Sequence, residues 1–197
     1  MCRETATKTV IKNHVMKKHN SGDEKCYLIK AEGAYDKDYW LFFSVTTNTT
    51  LTAIDHFLRE IWCECCGHLS AFYKGGDELD EDTEIAALNI GDKLVYEYDF
   101  GTTTEVNLTI ISEILRPKND EEIVLLVRNE PITHLCDSCG AIATYVNVWE
   151  EGFLCENCAE DKEALMPITN SPRMGECGYT GEEDRWVFDK SKPFPQN

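Results

Sequence analysis

Apolar and polar positions alternate through most of the middle of the chain, and one stretch breaks the alternation. "CYLIKAEG" and "DYWLFFSV" read as two strands joined by the turn-like "GAYDKD". The run "YWLFF" is apolar on both faces, which places it inside a sheet. "TTNTTLT" then ends the strand, and the period changes. In "AIDHFLREIWCEC" the residues Ile54, Phe57, Leu58, Ile61, Trp62 and Cys65 share one helical stripe, suited to packing on the sheet. Thr52 and Asp55 fit a capping box, with Thr50 as the alternative cap. Asp55 and Arg59 are spaced i,i+4, on what the pattern makes the wet side. Gly67 suits a helix stop.

Alternation then resumes. "HLSAFY" reads as a strand, "KLVYEYDF" and "EVNLTIISEIL" as a hairpin turning at Gly101, and "IVLLVRNEP" as one more strand after the break at "RPKNDEE". The predicted order is β-β-α-β-β-β-β. The expected fold class is α+β: a mixed or antiparallel sheet with one main packed helix, plus a small zinc ribbon. Four segments follow: a polar, basic arm over 1–24, an α+β core over 25–130, the ribbon over 131–160, and a tail over 161–197. The tail is rich in Pro and Gly, and Met174, Tyr179, Trp186 and Phe188 are its expected anchors on the core.

The ribbon rests on "LCDSCGAIATYVNVWEEGFLCENCAE", where Cys136 and Cys139, then Cys155 and Cys158, form two C-x2-C pairs separated by fifteen residues. A two-residue gap lets both thiolates of a tight turn face one ion, and two such turns close a tetrahedron suited to structural zinc. Ala143 to Trp149 alternate as a strand, with Gly152 expected in the turn of a hairpin that sets the two pairs side by side. With four sulfur ligands no position is left for water, so the predicted single zinc is structural. His134, two residues before the first pair, is read as a surface histidine, with donation to a thiolate as the alternative.

Two other cysteine groups leave their readings open. "CECCGH" holds Cys63, Cys65, Cys66 and His68. On one helical turn the three thiols point in different directions, and only two could meet one ion without unwinding. Core thiols at a helix end are the favoured reading, with a metal site including His68 and a reactive nucleophile as the alternatives. In the arm, His14 and His19 have the spacing of a finger's second half, but Thr5 stands where the partner of Cys2 is expected. Cys26 could complete a set with Cys2, His14 and His19; a basic helix without metal is the favoured reading.

Charge narrows the function classes. The formal net charge is −17 over 197 residues, yet residues 1–30 carry +4, leaving −21 for the remainder. Broad electrostatic coating of nucleic acid and binding to anionic membranes are disfavoured, with the arm as the one candidate for nucleic-acid contact. Residues 131–160 contain five acids and no Lys or Arg, so the ribbon lacks the basic flanks that nucleic acid requires. No apolar run is long enough to span a bilayer, and the start lacks the apolar core of a secretory signal. A cytoplasmic chain is expected, where ten cysteines are not explained by disulfides. There is no G-x-G-x-x-G or G-K-[ST] loop. Asp99-Phe100-Gly101 lacks the companions of a kinase signature, and Asp77 to Glu84 lack the pattern of a calcium loop.

Several blocks together resemble the plasmid pRiA4b ORF-3-like family, whose members are also described as passenger proteins of a transposable element. They are "LFFSV", "LTAIDHFLREIWCECCGHLSAF", "GDKLVYEYDFGTTTEV", the ribbon and "NSPRMGECGY", covering most of 38–181. The resemblance implies an α+β fold and no established activity. Many members follow the aspartate-phenylalanine-glycine run with an acid, a tryptophan and a histidine. Here Thr102, Thr104 and Val106 occupy those places, so a site built on that histidine is not carried over. Relatives with a fuller finger give Cys2, His14 and His19 an origin as an eroded one.

The expected function is that of a zinc-binding protein acting as a non-catalytic protein-binding or scaffolding module, with a protein partner. One alternative is a nucleic-acid-associated accessory or regulatory protein of mobile-element type, with weak contact through residues 1–24. The other is a cysteine-dependent enzyme using Cys66 and His68 with Asp99.

Overall fold

The structure, a computed structural model, describes residues 20–186 except 119, 120, 151 and 161, together with Asn13 and Lys17. Cys2, His14, His19 and Phe188 lie outside the described residues.

The alternating segments form one seven-stranded sheet. Its strands are β1 (Glu24–Gly33), β2 (Trp40–Thr46), β3 (Ser70–Lys74), β4 (Asp77–Glu78), β5 (Lys93–Tyr98), β6 (Thr104–Arg116) and β7 (Ile123–Arg128), in the spatial order β4-β3-β5-β6-β1-β2-β7. Every pairing is antiparallel. With helix α1 (Leu51–Leu58), this is an α+β fold. The two-residue β4 extends the pattern read from the sequence.

The period-2 rule explains the two cores. On β1, Tyr27, Ile29 and Ala31 face the helix, while Cys26 and Leu28 face the opposite side with Phe42, Ile114 and Leu126. On β2, Leu41, Phe43 and Val45 take the helix face and Phe42 the other. That is why "YWLFF" has no parity: β2 lies between β1 and β7 and is covered on both faces. Cys26 is fully buried there, and burial pushes its thiol pKa up.

The helix departs from expectation at both ends. Thr50 is the cap, its hydroxyl accepting from Ala53 N–H at 3.4 Å; Thr52 instead donates to the Glu81 carbonyl at 3.0 Å. After Leu58 the chain widens into one π turn, Arg59–Cys63, and Glu64 is extended (φ −66°, ψ 123°). Ile54, Phe57, Leu58, Ile61 and Trp62 are buried as the stripe predicts, and so is Cys63; Cys65 falls beyond the helix. The Asp55–Arg59 pair is not on a wet side. Asp55 accepts from Arg59 Nε at 2.7 Å, Ser70 Oγ at 2.6 Å and Tyr96 OH at 2.7 Å, which ties the helix to β3 and β5.

A second, three-stranded sheet has the order β10-β8-β9, from β8 (Tyr145–Asn147), β9 (Gly152–Leu154) and β10 (Leu165–Pro167). Gly152 opens β9 rather than turning the hairpin. A Cβ there would meet Asp137 Oδ2 at 2.9 Å, and that oxygen accepts from Phe153 N–H at 2.6 Å, so a larger residue would have to displace the Asp137 carboxylate. Beyond β10 the tail returns to the main sheet. Tyr179 is buried, and the Trp186 ring meets Phe57 edge-on at 5.2 Å. Among the described residues no helix is long and apolar enough to cross a membrane.

Candidate metal centres

Among the described residues, two groups of side chains converge as metal ligands do. The first is Cys136, Cys139, Cys155 and Cys158, whose four sulfurs lie within 4.8 Å of one another. Backbone hydrogen bonds shape the first turn: Gly140 N–H donates to the Cys136 carbonyl at 2.8 Å, and Cys136 N–H to the Ala141 carbonyl at 2.7 Å. In the second turn, Cys158 and Ala159 N–H both donate to the Cys155 carbonyl at 3.1 Å. Asp137 N–H donates to the Phe153 carbonyl at 2.9 Å and locks the two turns together.

The electrostatics of this group suit a cation. The backbone N–H of Cys155, with those of Cys139 and Ser138, lowers the Cys136 thiol to about 6. Crowding by Cys139, then by Cys155 and Cys136, pushes Cys158 up to about 12. Four thiolates cannot share so small a space alone, and a bound divalent ion removes the conflict. The donor set and spacing fit a metal ion. His134 is neither a thiolate donor nor a free surface side chain: its ring stacks on Phe153 at 4.0 Å, and burial lowers its pKa.

The second group is Cys65, Cys66, His68 and Cys177, with four ligand atoms also within 4.8 Å. The helix stripe put Cys65 in the core and left Cys177 unassigned. The π turn and extended Glu64 supply the unwinding that the "CECCGH" spacing demanded, and they separate Cys63, fully buried, from Cys65 and Cys66. Gly67 N–H donates to Glu64 Oε1 at 2.6 Å and fixes the turn. Cys177 arrives from the tail in a left-handed conformation, φ 44°. Cys66 Sγ lies 3.8 Å from Cys65 Sγ and 3.8 Å from Cys177 Sγ. His68 Nε2 lies 3.1 Å from each of the Cys66 and Cys177 sulfurs.

Beneath this group lies a buried polar support. Arg173 donates from Nη2 to Asp99 Oδ2 at 2.7 Å and to Cys65 Sγ at 3.5 Å, and from Nη1 to the Thr102 carbonyl at 3.1 Å and Thr104 Oγ1 at 3.0 Å. Its guanidinium stacks over Tyr98 at 4.8 Å. Burial would raise the Cys65 thiol, but the Arg173 hydrogen bond and charge outweigh it, and its pKa falls. Cys66 is pushed up to about 11, first by its neighbour Cys65.

Cys66, His68 and Asp99 do meet, but not as a catalytic relay. A relay needs the carboxylate on one ring nitrogen and the nucleophile on the other. Here Asp99 Oδ2, at 3.4 Å, crowds the same Nε2 as the two sulfurs. The thiol pKa is also raised, where an activated nucleophile needs it lowered.

No family model matches this sequence, and no curated protein matches it. Among solved structures, it is similar to a protein of unknown function, MM3350 from Methanosarcina mazei Go1. The similarity covers 60% of this chain and 75% of that one, at 16% identity and a TM-score of 0.48.

Proposed function

We propose that this chain is a zinc-binding protein whose ribbon, closed by one structural zinc on Cys136, Cys139, Cys155 and Cys158, acts as a protein-binding module. Four sulfur donors suit zinc and leave no site for a reacting water. The observation that carries the binding reading is an exposed apolar pair. Leu135 and Ile142 sit opposite each other across an isolated bridge at the first cysteine turn, 59% and 68% exposed. Trp149, at the hairpin end, is 66% exposed. Such side chains on so small a module suit a protein surface. The five acids of 131–160, with a further −2 from four thiolates and a divalent ion, select a partner with an apolar centre and a basic rim.

We also propose that the chain is related to the pRiA4b ORF-3-like proteins. What supports this is that three of the resembling blocks meet at one place: Cys65, Cys66 and His68 from the first, Asp99 from the second, and Arg173 and Cys177 from the third.

The test is a photo-crosslinking amino acid at Ile142 in the full chain in cells, with Tyr35, 81% exposed, as the control position. The expected result is one discrete protein adduct at 142, absent at 35 and lost with Leu135→Asp. An adduct pattern identical at both positions would end the proposal. Zinc analysis of the purified chain against its Cys158→Ser variant checks the ion: the variant should hold one fewer.

A further inference from the structure

We propose that Cys65, Cys66, His68 and Cys177 form a second metal centre, for a thiophilic divalent ion such as zinc, which fastens the tail to the helix end and the main sheet. This is a different site from the ribbon and stands apart from the ribbon's role.

Geometry is the first support. Zinc bonds of about 2.3 Å to sulfur and 2.0–2.1 Å to nitrogen give tetrahedral edges of about 3.8 Å between sulfurs and about 3.6 Å between sulfur and nitrogen. Two of the three sulfur–sulfur separations, Cys65–Cys66 and Cys66–Cys177, are 3.8 Å, and the third, Cys65–Cys177, lies within 4.8 Å. Two of the three sulfur–nitrogen separations, from His68 to Cys66 and Cys177, are 3.1 Å and need to open by about 0.5 Å to reach that edge; the third, to Cys65, lies within 4.8 Å.

The second support is the valence of His68. Its Nε2 faces two sulfurs and the Asp99 carboxylate at once. One ring nitrogen carries one proton or one lone pair, so hydrogen bonding cannot serve all three. A lone pair directed at an ion between the sulfurs uses the same geometry fully.

Charge is the third. Three thiolates, a neutral imidazole and a divalent ion sum to −1. Arg173, fully buried, donates to the Cys65 sulfur from within the fold, and Asp99 offsets the guanidinium. A cation at hydrogen-bond distance from a metal-bound sulfur tunes and orients such a ligand. Finally, the backbone conformations are costly ones. The ligand Cys177 is a non-glycine residue at φ 44°, and the π turn ends two residues before the ligand Cys65, costs that an ion would compensate. Three sulfurs and one nitrogen close the shell, so the ion is a clip, joining His68 to Cys177, 109 residues away.

The test compares zinc content, by elemental analysis and native mass, of the full chain and three variants: Cys177→Ser, Cys158→Ser and the two combined. The expected result is that each single variant holds one zinc fewer than the parent and the combination two fewer. Because the ribbon variant is read separately, failure of either site is distinguishable from failure of the other. A folded Cys177→Ser protein with the parent's zinc content overturns the proposal. So does a Cys66–Cys177 disulfide in protein prepared under reductant. If Cys177→Ser does not fold, His68→Cys decides. Loaded with cobalt on the Cys158→Ser background, it should keep the ion and gain sulfur-to-cobalt charge-transfer intensity. A spectrum unchanged from that background would overturn the site.

Discussion

Arg173 Nη2 lies 2.7 Å from Asp99 Oδ2, with the arginine side chain 0% and the aspartate 7% exposed. One residue comes from the tail and the other from the end of β5, where Asp99 takes a left-handed φ of 65° and its Oδ1 accepts from Gly101 and Thr102 N–H. The pair therefore sets both the turn after β5 and the path of the tail.

Removing Arg173 should cost more than the interaction itself contributes, because the carboxylate stays behind. Arg173→Ala is expected to lower stability by about 3–5 kcal/mol, the usual cost of breaking a buried pair from one side. Arg173→Lys should recover little, since an ammonium cannot fork to Asp99, Thr102, Thr104 and Cys65 together. Urea unfolding midpoints of the two variants, at fixed zinc, check this. Equal stability of the lysine variant and the parent would contradict it.

The four-cysteine module should depend locally on the ion proposed for it. Its sheet has three strands of three residues each, too little to bury a self-sufficient core. In Cys155→Ser, hydrogen exchange is expected to rise sharply over 135–167, while β1, β2 and β6 keep the parent's protection. Loss of protection across the main sheet would mean that the two sheets melt as one unit.

Asp55 gathers three donors from three elements, and Tyr96 is the most deeply set of them, fully buried on β5. Its hydroxyl is held well above the usual tyrosine range, first by burial and then by Cys63 and Asp55 nearby, so it stays a donor through neutral pH. Tyr96→Phe is expected to destabilise by about 1.5–3 kcal/mol, the scale of a hydrogen bond to a charged group. Because the donor does not titrate, that difference should be constant between pH 6 and 9 when measured by chemical denaturation.

What the sequence disclosed depended on distance along the chain. Strand alternation is local, and so is C-x2-C, so the main sheet and the convergence of Cys136, Cys139, Cys155 and Cys158 could be read directly. Residues 63–68 could not. A helical projection assumes a regular helix, and the π turn removes that assumption at Cys63, where burial of Trp62 and Cys63 wins over ladder regularity. Cys177 had no local signal either. Its partner His68 lies across the whole of β3 to β10, and only the fold joins them. Gly152 also has a contact that its neighbours in sequence do not signal, the Asp137 carboxylate fifteen residues before it.

Trp62 offers the sharpest separation of shape from polarity. It is the largest fully buried side chain, packed at the end of the helix, and its indole N–H has no hydrogen-bond partner among the described residues. Its backbone carbonyl accepts from Ser171 Oγ at 2.6 Å, a contact that does not involve the ring. Trp62→Ala should therefore open a cavity and cost about 3–5 kcal/mol. Trp62→Phe removes the unpaired N–H along with one ring, and regaining the desolvation cost of that group, about 1–3 kcal/mol, offsets much of the lost packing. The phenylalanine variant is expected within about 1.5 kcal/mol of the parent. Paired urea titrations on the zinc-loaded chain measure both. A phenylalanine variant as unstable as the alanine one would mean that the indole nitrogen is satisfied in solution.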